Sequence, residues 1–395
     1  MSGDGLFGRL LAGTLQYAVT EGDLCYVYDP YFRLKRCRVT AEVCKALIRT
    51  GQRPDMAGKM VSWLAARQNA DGSWNELHPR YSCPSALATA FVGEAFLLRR
   101  AAGGLTGEQE ARLKKAAGYV RAAETAPGRY RKSARYLSDY LNVDAACGAF
   151  LARYGRDLGD KDCLEAGRRA ALNCCRHQWP DGAYPYTTAE GGAPERYPLD
   201  VPCIHYQGVT IYYLLKIQQI VEDEELASSL DRAVGWLKAA QRPDGRFDWS
   251  RSGLMFAYYL SGAYAFAAAA FRYGRLEGHE RLAAGRLAGS VGDIAYRWET
   301  APLATCPLDA GTTLRSALIG DYPAGHRLFR LAYGSWRQVA RRRRSNRVDD
   351  GAFRAAAALL RLNTSTVEPS ANYPDLFMTS EILDCLSTIT EVHHV

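Results

Sequence analysis

The sharpest group of reactive side chains in the 395-residue sequence is His205-Tyr206-Gln207-Gly208. It follows a Pro-punctuated run, Tyr197-Pro198-Leu199-Asp200-Val201-Pro202, and opens an otherwise apolar segment. A His and a Tyr side by side at a cavity mouth can serve as base and acid. An Arg nearby would neutralise a carboxylate and acidify the C–H next to it. This is the chemistry of proton abstraction beside a uronate, as β-elimination or C5 epimerisation requires. Asp139, Asp144 and Asp200 offer a second chemistry, since glycoside hydrolysis works with carboxyl pairs. Each of these residues also has a plainer reading: helix capping for the aspartates, core packing or capping for His205 and Tyr206.

Such groups need helices that aim them inward. A short phrase returns along the chain and marks where helices end: Gln68-Asn69-Ala70-Asp71-Gly72-Ser73-Trp74, Gln178-Trp179-Pro180-Asp181-Gly182-Ala183-Tyr184 and Gln241-Arg242-Pro243-Asp244-Gly245-Arg246-Phe247. Glu124 to Tyr130 is a degraded copy, Asp349 to Phe353 a shorter one, and Arg297 to Pro302 a weak one. The spacing implies about six steps of roughly 53 to 63 residues, two helices each. Gly supplies the positive φ that ends a helix and reverses the chain, and Asp before it bonds to the local backbone. The phrase therefore reads as a fastener, not as catalytic machinery.

Two kinds of helix alternate around it. Those before the turns (55–68, 107–124, 160–177, 224–241) are amphipathic; in the fourth, Leu226, Leu230, Ala233 and Leu237 share one face. Those after the turns (82–98, 138–154, 203–219, 253–271, 309–320, 375–389) are apolar or aromatic nearly all round, so both sides must be buried. An inner ring of buried helices inside an amphipathic outer ring is an all-α fold, the α/α toroid. It is expected to occupy residues 1–395 as one domain, with 1–54 as an N-terminal arm and first helices and 55–395 as the repeats. A helix over 31–50 leaves open whether six hairpins plus an arm or seven close the ring.

Gly58-Lys59-Met60-Val61-Ser62-Trp63-Leu64 leading to Gln68 and Trp74, and Arg232-Ala233-Val234-Gly235-Trp236-Leu237 leading to Gln241 and Phe247, resemble the glutamine–tryptophan repeats of the terpenoid cyclase and protein prenyltransferase toroids. The resemblance implies the toroid, a fold also found in polysaccharide lyases, uronate epimerases and six-hairpin glycosidases. It implies the reaction poorly. Protonating cyclases need an Asp-rich motif, and Asp309-Ala310-Gly311-Thr312-Thr313 has glycine at the acid's place. Prenyltransferases hold zinc with Asp, Cys and His. Asp200, Cys203 and His205 are those residue types but are too compressed for that pattern, so no cofactor is expected.

In a toroid, backbone N–H groups and helix dipoles at the inner helix starts favour anions. Substrate-binding groups are accordingly expected among Arg33, Arg36, Tyr81, Arg135, Tyr140, Gln207, Arg251, Tyr258, Asp309, Arg315, Tyr373 and Asp375. The 24 Tyr against 12 Phe and 7 Trp suit a wet, polar cavity. A carbohydrate-active toroid holding an anionic oligosaccharide or small molecule in its central cavity is the leading expectation, with His205, Tyr206, Asp200, Asp139 and Asp144 as catalytic candidates. An isoprenoid-binding toroid and a non-catalytic scaffold are the alternatives.

Composition narrows the setting. The net charge of +8 owes much to Arg341–Arg344, read as a solvated helix end, and no nucleic-acid module surrounds it. The eleven cysteines are scattered and lack paired Cys-x-x-Cys motifs, so they read as reduced, buried thiols. Leu6 to Tyr17 is amphipathic and lacks signal-peptide form, and the longest apolar run, Ala263 to Phe271, is too short to span a bilayer. A cytoplasmic protein without a transmembrane segment is expected. Nothing in the sequence fixes an oligomeric state.

Overall fold

Burial sorts the helices into two layers. A computed structural model describes residues 3–29, 34–78, 81–136, 138–188, 202–240 and 376–390. Helix α1 (Gly3–Leu15) is followed by a three-stranded antiparallel sheet of β1 (Ala18–Glu21), β2 (Leu24–Asp29) and β3 (Leu34–Lys35). Then come α2 (Cys37–Arg49), α3 (Pro54–Ala65), the hairpin β4 (Trp74–His78) and β5 (Tyr81–Ser85), α4 (Ala86–Ala101) and α5 (Gly107–Ala122). The hairpin β6 (Glu124–Ala126) and β7 (Arg129–Tyr130) leads to α6 (Leu141–Leu158), α7 (Lys161–Arg176), α8 (Ile204–Val221), α9 (Glu224–Ala240) and α10 (Leu376–Thr390).

Helix α8 is buried without interruption from Ile204 to Leu215, and α4 from Ala86 to Leu98. Helix α5 buries only Leu113, Ala116, Ala117 and Val120, a single stripe. The all-round helices form an inner ring in which α10 packs on α2, α2 on α4, α4 on α6 and α6 on α8. The amphipathic α3, α5, α7 and α9 pack in sequence outside it. This is an α/α toroid, closed where the last helix meets the first inner one. Among the described residues no helix is long and apolar enough to cross a membrane, and every described cysteine is a free thiol.

The repeat is held by the same bonds at the same helical positions. In α2, α4, α6 and α8 the fourth residue of the helix accepts a backbone N–H from the strand or turn before it. Thr40 takes Val27, Thr89 takes Trp74, Asp144 takes Tyr130 and Gln207 takes Tyr184, at 2.7 to 3.1 Å. On the outer side, Gln68 donates to the Gly72 and Arg112 carbonyls, and Gln178 to those of Gly182 and Ser229. In the degraded copy Glu124 replaces Gln; it accepts from the Gly128 N–H and pairs with Arg169 on α7. The turn glycines sit directly on the next outer helix. A Cβ on Gly182, at φ +94°, would run into the Arg232 carbonyl. Gly182→Ala should therefore destabilise the protein by roughly 2–4 kcal/mol, from the left-handed backbone plus overpacking. Gly159→Ala, at φ +73° with open space around it, should cost only about 1–2 kcal/mol. Urea denaturation of the two variants checks the contrast.

Two expectations need correction. The inner helix expected from residue 82 starts at Ala86, because Tyr81–Ser85 pairs with Trp74–His78 as a strand and Ser85 caps the helix by accepting from the Ala88 N–H. Short strands also occupy 18–35 and 124–130, so the helical fold carries small sheets at its turns. The helix expected over 31–50, whose rank the sequence leaves open, is α2 (Cys37–Arg49), which packs in the inner ring between α10 and α4. The expected helices over 253–271 and 309–320, and the turn copies near 245, 298 and 351, lie outside the described residues.

Candidate functional site

The starts of α4, α6 and α8 carry a run of tyrosines. Tyr81 on β5 hydrogen-bonds Tyr136 at 3.0 Å, and the guanidinium of Arg135 lies 4.6 Å from the Tyr81 ring centre. Tyr136 meets Tyr140 edge-on at 6.1 Å, and Tyr140 meets Tyr186 at 5.0 Å. Tyr186 stacks on Tyr206 at 4.0 Å and 16°, and Tyr206 takes the His205 ring on its edge at 4.8 Å. Five tyrosines thus form a continuous aromatic rim. Each element supplies one segment because each inner helix begins on the same side of the ring.

At one end of the rim lies a small pocket with a cavity volume of about 20 Å³, lined by Arg36, Arg38, Asn75, Glu76, Phe91 and Phe377 among others. Arg36 pairs with the buried Asp29 at 3.3 Å. The Arg38 guanidinium lies 4.5 Å from the Phe91 ring centre and 4.3 Å from that of Phe377, and it pairs with Glu42 and Glu381. Glu76 accepts from Lys132 at 3.1 Å and Tyr81 at 3.3 Å, while its Oε2 is buried without a hydrogen-bond partner. Burial alone would raise the Glu76 carboxyl; Lys132, then Arg38 and Arg36, outweigh it and hold it below the ordinary glutamate value.

Deeper in the ring, charges close the interior. Lys45 is fully buried and bonds Glu94 at 3.0 Å and Asp384 at 2.7 Å. Arg49 bonds the same two carboxylates, and Lys216 bonds Glu94. These residues come from α2, α4, α8 and α10, so the network ties four inner helices together. Burial pulls the Lys216 ammonium down to about 8, against the opposing pull of Glu94.

A second group of buried carboxyls lies at the start of α6. Asp139 precedes α6, is buried, accepts from Thr188 Oγ1 at 2.8 Å and pairs with Arg129 at 3.4 Å. Its Oδ1 is buried without a hydrogen-bond partner. Asp144, one turn into α6, is fully buried; its oxygens accept from the Tyr130 N–H at 2.7 Å and Asn173 Nδ2 at 3.0 Å. Burial first, and then the Asp139 carboxyl within hydrogen-bonding reach, push Asp144 well above the ordinary aspartate range.

The expected site residues divide accordingly. Arg36, Tyr81, Arg135, Tyr140, Asp139, His205 and Tyr206 do gather at the inner helix starts. Gln207 is corrected: it is fully buried, its Oε1 accepts from the Tyr184 N–H and its Nε2 donates to the Gly182 and Ala233 carbonyls, which leaves its amide engaged in the fold. Asp144 shares that fastening role and lies below the rim. Arg33, Asp200, Arg251, Tyr258, Asp309, Arg315, Tyr373 and Asp375 lie outside the described residues. No group of three metal-ligand side chains occurs among the described residues, and His205, at 2% exposure, is packed against Tyr206. Sequence reasoning missed Glu76, Lys132, Tyr136 and Tyr186. Glu76 and Lys132 lie in hairpin and loop segments that helical periodicity does not score, and only the overall Tyr excess hinted at the rim.

The all-α toroid is the architecture that known structures share with this chain. An unsaturated glucuronyl hydrolase specific for heparin superposes with a TM-score of 0.58 at 11% identity, over 100% of this chain and 97% of that one. An α-1,6-mannanase from a Salegentibacter species gives 0.57 at 10% identity, over 99% and 100%. An unsaturated glucuronyl hydrolase from a Bacillus species, responsible for glycosaminoglycan degradation, gives 0.50 at 14%, over 75% and 84%. At such identities the likeness establishes the fold. No protein-family pattern matches the sequence, and no curated protein matches it.

Proposed function

We propose that this toroid is a glycan-cleaving enzyme that takes an anionic, uronate-bearing oligosaccharide at the tyrosine rim. The observation that carries the reading is the rim itself, with Glu76 set among Arg36, Arg38 and Lys132 at one end and the buried Asp139 behind Tyr140. Aromatic faces suit sugar rings, the cations suit a carboxylate, and two carboxyls at a mouth suit acid-assisted hydrolysis. Asp139 is assigned the acid and Glu76 the second carboxyl. The superposed glucuronyl hydrolases and mannanase, which act on glycans by name, lend the reading further support.

This reading displaces two others. Lyase- or epimerase-type proton abstraction would fall to His205 and Tyr206, whose rings are engaged in the aromatic stack. An isoprenoid would need an apolar interior, whereas Lys45, Arg49, Glu94, Lys216 and Asp384 occupy the described one. The test is a panel of unsaturated glucuronyl oligosaccharides, saturated uronate oligosaccharides and α-1,6-mannooligosaccharides, with products separated by mass. Hydrolysis of a uronate-bearing member, retained at more than a tenth of its rate in His205→Ala and Tyr206→Phe, is expected. Formation of a new unsaturated sugar, abolished by both changes, would reinstate the lyase reading. Turnover of the neutral mannan alone would remove the anionic substrate.

A further inference from the structure

The repeat provides an internal control for Asp144. Thr40, Thr89, Asp144 and Gln207 all stand fourth in their inner helices and all accept one backbone N–H. Three of the four do so with neutral groups, so the fastening needs no charge. A carboxyl at 144 is therefore surplus to the fold, and it lies fully buried beside a second carboxyl. The charge count around the pair is unbalanced. Arg129 on β7 bonds Asp139, and no cation among the described residues bonds Asp144. Its other neighbours are neutral: the Tyr130 N–H, Asn173 on α7, and the Cys147 and Cys174 thiols, which burial and then Asp144 push well up. The guanidinium pairs with one of the two buried carboxyls, and a second buried negative charge without a cation is costly. The buried Asp139 Oδ1 lacks a hydrogen-bond partner, and a proton carried by Asp144 is the donor within reach.

We propose that Asp139 and Asp144 hold one proton between them, with Asp144 as the positioning residue that keeps the pair half-neutralised. The proposal rests on the glycosidase reading only for its use. There, Asp139 passes the shared proton to the departing glycosidic oxygen as the C–O bond breaks. Water then supplies the hydroxyl to carbon and returns its proton to the pair. Two interacting carboxyls titrate as a unit, and the like charge of one delays loss of the last proton from the other. Asp144 thus keeps its proton at a pH where a lone exposed aspartate would be ionised.

Infrared difference spectra and pH–rate profiles test this in the full chain. Asp144→Thr copies the sister positions and should fold; Asp144→Asn keeps the shape if it does not. At neutral pH the wild type should show the carbonyl stretch of a protonated carboxyl that both variants lack. The basic limb of the kcat profile should move down in both, with kcat about tenfold lower at neutral pH and KM unchanged. Persistence of the band in the variants would overturn the shared proton. Loss of the band with no glycan turnover by any form would uphold the pair and remove only the glycosidase reading. Thermal stability gives a second check. A carboxyl raised in the folded state contributes stability that is present at low pH and lost as pH rises through its folded value. Wild type should accordingly lose melting temperature with rising pH faster than Asp144→Thr; parallel curves would count against the proposal.

Discussion

Asp139→Asn should lower kcat on the productive glycan about 10²–10⁴-fold, the range expected when a positioned acid is removed. The protein should still fold, although at a cost in stability, because Arg129 loses its carboxylate partner at 3.4 Å. Asn keeps an oxygen for the Thr188 hydroxyl, which now lies 2.8 Å from Asp139 Oδ2, and the backbone bond from the Thr188 N–H to the Asp139 carbonyl does not involve the side chain. KM should therefore change little while kcat collapses, the signature of a group acting in the transition state and not in ground-state binding. Glu76→Gln should fall with it if both carboxyls act on one bond. An Asp139→Asn protein with more than a tenth of wild-type kcat would dismiss Asp139 as the acid, whatever the substrate.

The largest expected loss of stability comes from Glu94→Gln. Glu94 bonds Lys45, Arg49 and Lys216, so the change leaves three buried cations facing Asp384 alone. Breaking a buried pair by removing one partner typically costs about 3–5 kcal/mol, because the remaining charge stays desolvated. The effect should have a definite pH signature. Burial would raise the Glu94 carboxyl, but Lys216, Lys45 and Arg49 outweigh it and hold it well below the ordinary value. A depressed carboxyl contributes stability above its unfolded value that is lost as pH falls through its folded one. Wild type should lose stability steeply at acid pH, and Glu94→Gln should be weaker at neutral pH with a flatter acid slope. Urea titrations across that range measure both. A loss below about 1 kcal/mol at neutral pH would mean that the network contributes little to holding α2, α4, α8 and α10 together.

Much of the architecture follows from the sequence because the signals are local. The Gln-x-x-Asp-Gly-x-aromatic phrase located the helix ends, since a positive-φ glycine and a turn aspartate act within a few residues of chain. The contrast between striped and all-round apolar helices separated the layers, since burial on one side or two is written into each helix's own period. The described outer helices begin and end within three residues of expectation.

Partnerships across the ring were decided by tertiary structure. Lys45 and Asp384 are 339 residues apart, and no spacing rule connects them. Helix α2 belongs to the inner ring although it carries four charged residues, Arg38, Glu42, Lys45 and Arg49; Glu42 pairs with Arg38, and the three cations are matched by Glu94, Glu381 and Asp384 from neighbouring helices. Gln207 seemed a binding residue and is a fastener, while Glu76 lay unseen in a hairpin. Asp139, Asp144 and Asp200 were offered by the sequence as carboxyls that could work in pairs, without a pairing among them. Packing buries Asp139 and Asp144 one helical turn apart at the start of α6, with Arg129 on Asp139 and neutral partners on Asp144. The sequence by itself determined the helical units and their order through local backbone and burial preferences. The tertiary structure decided which charges meet, because that depends on closure of the ring, where α10 returns to α2.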